Sequence, residues 1–442
     1  MNGEQITILI PTCDRAGVLQ YALTTCLAQE DHGCTILVSD NASEDETPNV
    51  IARAAARDAR VRSIRPPSRL GMAEHWEFAL GQIQDGWVVI IGDDDGLLPR
   101  ALPNLRQAAA RHPDIEAISW PYSFYIYPNP ARSVGESGLL ALGQGGDEHV
   151  RDAQQWLAKL ADFRSAYYVE LPMAYHGMVH TRLLQRIRRQ GGRQIATRIP
   201  DVYLAVAIAS VCGRFLRMQH SQSLFGSSAQ SNGASSQGQG DPRIYDRFTK
   251  ESTIGQHPSV PSMRSVSSMI LEALLTCRDT GLLPHSVPID LEAAFLRSFV
   301  ENHDLPHPDG AATVGLLAKG IGQEQSYHRL ASLEGGELSH LRAELASTGW
   351  MPTFQWVVNI LATSHVRDVE GAVRIADVIY SDPQGREALL PRPPAVPAPV
   401  DEQHSARSCG LREHPGFGDV ISTIGKKIVR EIARPFRTLR WA

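Results

Sequence analysis

Three short apolar runs lie in the N-terminal part of the chain, at Ile6–Ile10, Thr35–Val38 and Trp87–Ile91. Each run is continuous and does not alternate between apolar and polar residues. A continuous run of this length is typical of a strand buried on both faces of a parallel sheet. Between the runs, apolar residues recur three and four positions apart, which predicts amphipathic helices. The β-α-β-α order therefore predicts an α/β fold with a parallel sheet and right-handed crossovers.

The same pattern places the helices between these strands. The first helix contains the apolar positions within Leu19–Leu27, and the third contains those within Trp76–Ile83. The second helix is predicted to begin near Ser43, because Ser43 and Glu46 have capping-box spacing. Thr47, which precedes a proline, also fits a first helical turn.

Polar residues follow each apolar run. The third run ends in Asp93, Asp94 and Asp95, which Gly92 and Gly96 flank. Carboxylates at the ends of parallel strands lie in the crevice where open α/β sheets bind ligands. Hard oxygen ligands of this kind suit Mg²⁺ or Mn²⁺, which in turn hold substrate phosphates. The alternative is a solvated acidic turn, for which Asp and Gly are ordinary residues.

Three segments resemble motifs of the inverting family 2 glycosyltransferases of the GT-A fold, of the bacterial surface-polysaccharide type: Ile10–Arg15, Val38–Asp45 and Gly92–Pro99. Residue types, order and spacing agree, and the resemblance covers about the first half of the chain. It implies a GT-A type Rossmann-like sheet sandwiched by helices. It also implies transfer of a sugar from a nucleoside-diphosphate sugar, expected to be UDP-linked, to an acceptor hydroxyl in polysaccharide or glycolipid biosynthesis. Mn²⁺ or Mg²⁺ would be the cofactor.

The resemblance assigns roles to individual residues around the donor. Asp40 would hydrogen-bond the base, and Asp93 would face the ribose or the metal. Arg69 or His75 would contact the donor from the helix before the acidic strand, although a solvent-facing helix histidine is an alternative for His75. The residues expected at the donor nucleotide are Pro11, Thr12, Arg15, Asp40, Arg69, Asp93 and Asp94, and the expected metal ligands are Asp94 and Asp95.

Transfer with inversion also needs a base for the acceptor hydroxyl, while a cation offsets the charge that grows on the diphosphate. In the family the base is an Asp or Glu that opens a helix downstream of the metal motif, often as Glu-Asp. Asp201 matches this position, with Pro200 where relatives have Glu. The apolar face that follows places Asp201 in a first helical turn. Its alternative role is an N-terminal helix cap.

Two further segments are expected near the acceptor. Tyr175 and His176 resemble residues that precede the acceptor cleft, although both could instead cap a buried strand edge. The segment from Ser221 to Gly240 is rich in Ser, Gln, Gly and Asn, which predicts a loop. It would form a lid or, alternatively, a plain flexible linker. The expected lid residues are Ser227, Ser228, Ser231 and Asn232.

Composition and charge limit the alternatives. The chain has 442 residues, of which 43% are hydrophobic, and a formal net charge of −5, which gives no general affinity for nucleic acid. Its six cysteines show no metal-binding or CxxC spacing, as in reduced thiols of a cytosolic protein. Neither a signal peptide nor an apolar stretch of roughly 20 residues is evident. These features predict a cytoplasmic protein without a membrane-spanning helix.

The pattern divides the chain into four parts: a GT-A domain at 1–240, a mainly helical accessory region at 241–380, a Pro-rich linker at 381–418 and a basic amphipathic helix at 419–442. Apolar and basic residues at helical spacing in the last part are typical of a helix on an anionic bilayer. The protein would then be peripheral at the inner face of the plasma membrane. The alternative is a helix that docks on the protein itself.

Other function classes stay open. The first is a non-catalytic protein that binds a nucleotide sugar or glycan and retains the fold. The second is a sugar nucleotidyltransferase, but such enzymes carry a glycine-rich phosphate loop where this chain has Pro11-Thr12-Cys13. A dinucleotide-dependent oxidoreductase is disfavoured because no GxGxxG follows the first strand.

Overall fold

The computed structural model describes residues 4–129, 137–231, 242–303, 310–333, 335–348 and 350–390. Its larger sheet has eight strands in the order β3-β2-β1-β4-β10-β6-β11-β9. β1 pairs in parallel with β2 on one side and with β4 on the other, whereas β10 runs antiparallel to β4. The predicted parallel arrangement of the first strands is thus confirmed, and the sheet becomes mixed beyond β4. The strands of this sheet are β1 (Ile6–Thr12), β2 (Cys34–Asp40), β3 (Val61–Ile64), β4 (Trp87–Ile90), β6 (Ala117–Ser119), β9 (His149–Asp152), β10 (Gly177–His180) and β11 (Arg214–Arg217).

Helices cover both faces of this sheet, which explains the continuous apolar runs. Ile8 packs in the core on one face, and its neighbour Leu9 packs in the core on the other. Both side chains are fully buried. Helices α1, α2 and α4 contribute to the first core, and α3, α5, α6 and α7 contribute to the second. Their bounds are α1 (Ala16–Leu27), α2 (Thr47–Arg57), α3 (Met72–Leu80), α4 (Ala101–Arg111), α5 (Ala153–Ala161), α6 (Thr181–Gly191) and α7 (Pro200–Val211).

A second sheet of five strands lies beside the first, in the order β13-β8-β7-β12-β5. Its outer strand β13 comes from the C-terminal half of the chain and pairs antiparallel with β8. Helix α15 (Val369–Ser381) packs against this sheet and against α1. The strands are β5 (Gly96–Leu97), β7 (Phe124–Ile126), β8 (Leu139–Leu142), β12 (Ser223–Ser227) and β13 (Trp356–Asn359).

The C-terminal half is mainly helical, as predicted. α9 packs against α7, and α10 packs against α9, so this half extends the core around α7. The remaining helices are α8 (Pro242–Glu251), α9 (Val266–Asp279), α10 (Leu291–His303), α11 (Gly310–Gly320), α12 (Glu324–Ala331), α13 (Gly335–Ser347), α14 (Ile360–Ser364) and α16 (Pro383–Leu389), with a single 3₁₀ turn at Tyr168–Glu170. No helix in the described ranges is both long and apolar enough to cross a bilayer.

Two local predictions are wrong. The capping box at Ser43 does not form, because α2 begins at Thr47 and the backbone N–H of Ser43 instead donates to Asp40. The segment predicted as a loop from Ser221 contains strand β12, which lies inside the second sheet. Side-chain partners in the folded protein satisfy its polar residues, and a local pattern cannot reveal them.

The four-part domain division stays a prediction. Residues 356–380 of the predicted accessory region contain β13 and all but the last residue of α15, and both elements join the second sheet. The predicted linker begins with a short helix, α16. Its remainder, the predicted amphipathic helix and the lid residue Asn232 lie outside the described residues.

Candidate functional site

An open cleft of about 1120 Å³ lies where β1, β2 and β4 end. Asp93 and Asp94 line it, and so does Asp201 at the start of α7. Thr12 and Asn41, which follow the first two strands, line the same cleft. The polar strand ends therefore converge, as the strand pattern predicts.

Asp93 is held by the residues that end β1. The Thr12 hydroxyl donates to Oδ2 of Asp93 across 2.7 Å, and Nε of Arg15 lies 2.7 Å from Oδ1. Burial raises the pKa of Asp93 to about 6, although the Arg15 charge opposes this shift. Both carboxylate oxygens are thus occupied by partners from one neighbouring loop.

Asp94 connects the acidic triplet to the segment after β12. Its Oδ2 accepts from the hydroxyls of Ser228 at 2.7 Å and Ser231 at 2.5 Å, and Arg15 lies 2.5 Å from the same oxygen. The Arg15 guanidinium also donates to Ser228 Oγ. At Gly226, an added Cβ would lie 1.7 Å from the Asp94 carbonyl oxygen, so the backbone approaches closely there. Two of the three predicted lid serines, Ser228 and Ser231, therefore contact the triplet.

Asp95 is fully buried, and both oxygens of its carboxylate have partners within the protein. Oδ2 accepts from the backbone N–H of Gly92 at 2.5 Å and the Tyr175 hydroxyl at 2.8 Å, and it lies 2.7 Å from Nε2 of His176. Oδ1 accepts from the backbone N–H of Gly226 at 2.6 Å. Burial would raise the pKa of Asp95, but His176 and the donated hydrogen bonds outweigh it and lower the pKa. Gly92 follows β4, Tyr175 and His176 precede β10, and Gly226 lies in β12, so the contacts of Asp95 link these three strands.

Asp94 fits a cation better than Asp95 does. The hydrogen bonds and ion pairs of the Asp94 carboxylate within the described ranges all involve Oδ2, so Oδ1 is left for a ligand. Mg²⁺ commonly uses one or two carboxylates together with substrate phosphates. Asp95 would first have to release one of its four partners. Within the described part of the chain, no group of three or more His, Cys, Asp or Glu side chains is arranged to hold a metal ion by itself.

Asp201 faces the cleft from the first turn of α7, as predicted, with Pro200 at the first helical position. Its half-buried carboxylate accepts a hydrogen bond of 3.2 Å from the Tyr168 hydroxyl. Burial raises the pKa of Asp201, although the Tyr168 hydrogen bond and backbone N–H groups oppose the shift. A carboxylate whose pKa is raised towards neutrality is suited to accept a proton.

The two residues expected at the acceptor differ in position. Tyr175 lines the cleft, and its ring packs edge-on against Trp76 at a centroid distance of 5.6 Å. His176 is buried behind Asp95 in a left-handed conformation, with φ 53°. Its Nδ1 lies 2.6 Å from Ser223 Oγ. His176 therefore supports Asp95 from the protein interior and does not line the cleft.

Three donor-site candidates have partners of their own. Asp40 is buried and pairs with Arg65, and it does not line the cleft. Arg69 pairs with Asp14, and only the latter lines the cleft. His75 lines the cleft and lies 2.7 Å from Ser39 Oγ, and burial lowers its pKa to about 4. The donor-binding roles of Asp40 and Arg69 stay predictions.

Sequence reasoning missed some residues of the cleft. Tyr168 contacts Asp201, and its only signal is the pair Tyr167-Tyr168 in a segment without a recognisable motif. Asn41 lines the cleft next to Asp40, and its amide group exchanges hydrogen bonds with the backbone of Leu70. The polar segment after β2 indicated this region but did not single out Asn41.

Comparison with known proteins supports the motif reading. A profile described as glycosyl transferase family 2 matches residues 7–152. A curated Campylobacter jejuni protein, GalNAc(5)-diNAcBac-PP-undecaprenol beta-1,3-glucosyltransferase, is 28% identical over 106 residues, or 24% of this chain. The match spans only 34% of that relative.

Solved structures give more distant matches. Residues 1–349 of S. aureus TarS in complex with UDP-GlcNAc match at 11% identity and a TM-score of 0.42, covering 74% of this chain and 92% of that one. The mannosyltransferase PcManGT from Pyrobaculum calidifontis, in complex with GDP-Man and Mn²⁺, matches at 16% identity and a TM-score of 0.38, covering 86% and 88%. These likenesses are too distant to carry an argument about this chain.

The profile match contains the acidic triplet, the strand ends around it and helices α1 to α4. The same region carries the three motifs whose types, order and spacing resemble this family. These findings support a glycosyl transferase family 2 domain at residues 7–152, which make up about one third of the chain.

Proposed function

We propose that the protein transfers a sugar, with inversion, from a nucleoside-diphosphate sugar to a hydroxyl of a glycan or lipid-linked acceptor. The observation that carries the proposal is that Asp94 and Asp201 line one cleft. One carboxylate retains an oxygen for a cation, and the other has a raised pKa. Inverting transfer needs these two properties on opposite sides of the reacting sugar.

Asp94 would hold a Mn²⁺ or Mg²⁺ ion together with the donor diphosphate. When bound, the cation offsets the charge that develops on the leaving diphosphate. Arg15 lies beside Asp93 and Asp94 and supplies a fixed positive charge at the same place. Ser228 and Ser231 now occupy Oδ2 of Asp94, so donor binding would compete with or rearrange these contacts. Asp95, the other predicted ligand, holds the triplet in position through its buried partners.

Asp201 would take the proton from the acceptor hydroxyl. The raised pKa makes its carboxylate a stronger base than an exposed aspartate. The Tyr168 hydroxyl fixes the orientation of the carboxylate and leaves the group facing the cleft. The location of α7 across the cleft from the triplet strand follows from its packing against α3 and α5.

The expected nucleotide is UDP, and the expected pathway is polysaccharide or glycolipid biosynthesis. The motif resemblance supports both, and the Campylobacter relative, a GalNAc(5)-diNAcBac-PP-undecaprenol beta-1,3-glucosyltransferase, supports the pathway. Membrane contact through residues 419–442 stays a prediction, because that segment lies outside the described residues.

A nucleotide-sugar panel tests the proposal, with released nucleoside diphosphate measured with Mn²⁺, with Mg²⁺ and with EDTA. We expect turnover of one donor that EDTA abolishes. Asp94→Asn should lose metal-dependent nucleotide binding. Asp201→Asn should retain that binding and lose roughly 10²–10⁴-fold in turnover. The matched control is Asp114→Asn, since the Asp114 side chain is 60% exposed and is not part of the cleft lining.

Two outcomes would contradict the proposal. Absence of turnover with every donor, together with absence of metal-dependent nucleotide binding, would exclude the enzyme assignment. Metal-dependent nucleotide binding that Asp94→Asn removes, without turnover of any donor, would favour the non-catalytic nucleotide-sugar binding protein.

A further inference from the structure

The second sheet is apolar on both faces. Alternate residues of its strands, including Tyr125, Leu140 and Val358, pack in a buried core against Val369 and Val373 of α15. Antiparallel sheets that are covered on one side usually present polar side chains on the other. Most of the intervening residues that line the cleft are apolar as well, and Ser227 of β12 is the polar exception among them.

The cleft-facing side of the sheet forms a continuous surface. Along one cross-strand row, Phe225 pairs with Phe124, Phe124 with Ala141, and Ala141 with Val357. Ile126 lies two residues along β7 from Phe124 and faces the cleft on the same side. None of these five side chains carries a hydrogen-bonding group. We call this surface the apolar sheet face.

An aromatic edge connects the apolar sheet face to the catalytic residues. The ring of Tyr122 lies 4.4 Å from that of Phe225 and 5.9 Å from that of Phe354, and Phe354 lies 5.0 Å from Phe124. All four rings line the cleft that also contains Asp201. Burial raises the pKa of Tyr122, and the charges of Asp95 and then of Asp201 raise it further. The apolar sheet face is therefore continuous with the site of the base.

The absence of hydrogen-bonding groups on these five side chains favours a hydrocarbon ligand over a saccharide. Each buried hydroxyl of a saccharide needs a hydrogen-bond partner, and burying one without a partner is unfavourable. The apolar sheet face offers no such partner, whereas a hydrocarbon chain loses nothing there and gains by leaving water. A contiguous apolar surface beside a reactive site also marks a binding site.

We infer that the apolar sheet face binds a hydrocarbon chain of the acceptor, whose hydroxyl then lies at Asp201. The inference rests on the proposed function, because it takes Asp201 as the base. It narrows the acceptor to a molecule in which the receiving sugar or alcohol is joined to an alkyl or prenyl group.

Calorimetric titration of the full chain with hexyl, heptyl and octyl β-D-glucoside, below micelle formation, tests this. Glucose and maltotriose serve as ligands without the hydrocarbon. We expect the affinity to rise by up to roughly fourfold per methylene group, with a negative heat-capacity change. Phe354→Ala and the nearly isosteric Val357→Thr should both weaken octyl glucoside binding and reduce the dependence on chain length. Leu316→Ala is the control, since Leu316 is 61% exposed and outside the cleft.

Several outcomes would overturn the inference. One is an affinity for the glucosides that does not change with the length of the alkyl chain. Another is an equal dependence on chain length in the wild type and in both variants, because the alkyl chain would then bind elsewhere. Maltotriose binding without alkyl dependence would identify a glycan acceptor instead. Donor turnover without alkyl binding leaves the proposed function intact and refutes only the hydrocarbon site. Alkyl binding in a protein that turns over no donor would refute the acceptor role.

Discussion

The Tyr168 hydroxyl donates a 3.2 Å hydrogen bond to Oδ2 of Asp201. The bond joins the 3₁₀ turn at Tyr168–Glu170 to the first turn of α7. A donor to the ionised form lowers the pKa of a carboxyl group, whereas burial raises it. At Asp201 burial prevails, so the tyrosine limits a shift that it does not reverse.

Tyr168→Phe should therefore raise the pKa of Asp201 further. If Asp201 is the base, only its ionised form is active, so the acid limb of the pH profile of kcat/KM should move to higher pH. The expected displacement is about one to two pH units at most, because a hydrogen bond to a charged group contributes about 1.5–3 kcal/mol and one pKa unit corresponds to about 1.4 kcal/mol. A limb that stays in place or moves to lower pH would show that Asp201 does not set it.

Asp95→Asn should destabilise the fold. The amide has only one acceptor oxygen, so its nitrogen must face either the Gly226 N–H or the pair formed by the Gly92 N–H and the Tyr175 hydroxyl, and these donors lose their acceptor. We expect a loss of about 2–4 kcal/mol in the free energy of unfolding by urea. Asp114→Asn, which changes an exposed ion pair, should cost less than about 1 kcal/mol. Full stability of Asp95→Asn with loss of metal binding alone would make Asp95 a ligand and not a structural residue.

Gly226→Ala should disturb the acidic triplet without unfolding the protein. The new methyl group would lie 1.7 Å from the Asp94 carbonyl oxygen, so β12 or the triplet must move. We expect metal-dependent nucleotide binding to weaken by roughly tenfold or more, about 1.4 kcal/mol, with an unchanged circular dichroism spectrum. The control is Gly213→Ala, because an added Cβ there meets no atom within 4 Å. Equal nucleotide affinity in the two variants would contradict the close approach.

Glu272→Gln should stabilise the protein at alkaline pH. Burial among α9 and its neighbours raises the pKa of Glu272 from 4.5 to about 7, so folding favours its protonated form. That contribution is complete below pH 4.5 and is lost as the pH rises through about 7. The glutamine retains the acceptor for the His257 backbone N–H and avoids the buried charge. We expect a gain on the order of 3 kcal/mol at pH 8 and little change at pH 4.5 in urea unfolding. A less stable variant at pH 8 would contradict the buried charge.

The N-terminal sheet could be predicted because its signals are local. The apolar run Ile6–Ile10 becomes β1, and the run that precedes the aspartates becomes β4. Both strands are covered on two sides, so each residue must be apolar irrespective of the face it occupies. A pattern of this kind needs no knowledge of distant contacts.

The second sheet could not be predicted in the same way. Ser223–Ser227 is polar enough to resemble a loop, but the hydroxyl of Ser223 accepts a 2.8 Å hydrogen bond from the Trp120 indole. The outer strand β13 pairs with β8, which is more than two hundred positions earlier in the chain. Such partners exist only in the folded protein, so a local pattern cannot supply them.

The sequence predicted some of the charged groups that line the cleft, but not Asp40 and Arg69, which lie outside its lining, or the residues that support the site. Asp94 and Asp201 line the cleft, as expected from the motif order. The ring of His176 turns away from the cleft to Asp95, and Tyr168 approaches Asp201 from a 3₁₀ turn. Both relationships depend on side-chain direction, which residue type and spacing do not determine.

Strand β13 has a consequence for synthesis of the protein. A nascent chain on the ribosome acquires the acidic triplet early and Asp201 by its midpoint, but Val357 and the helix behind it emerge much later. Until then the edge of β8 that pairs with β13 is unpaired, and the apolar core that α15 covers in the folded protein is exposed to water. Recombinant fragments that end near residue 240 would therefore expose this unpaired strand edge, which favours aggregation.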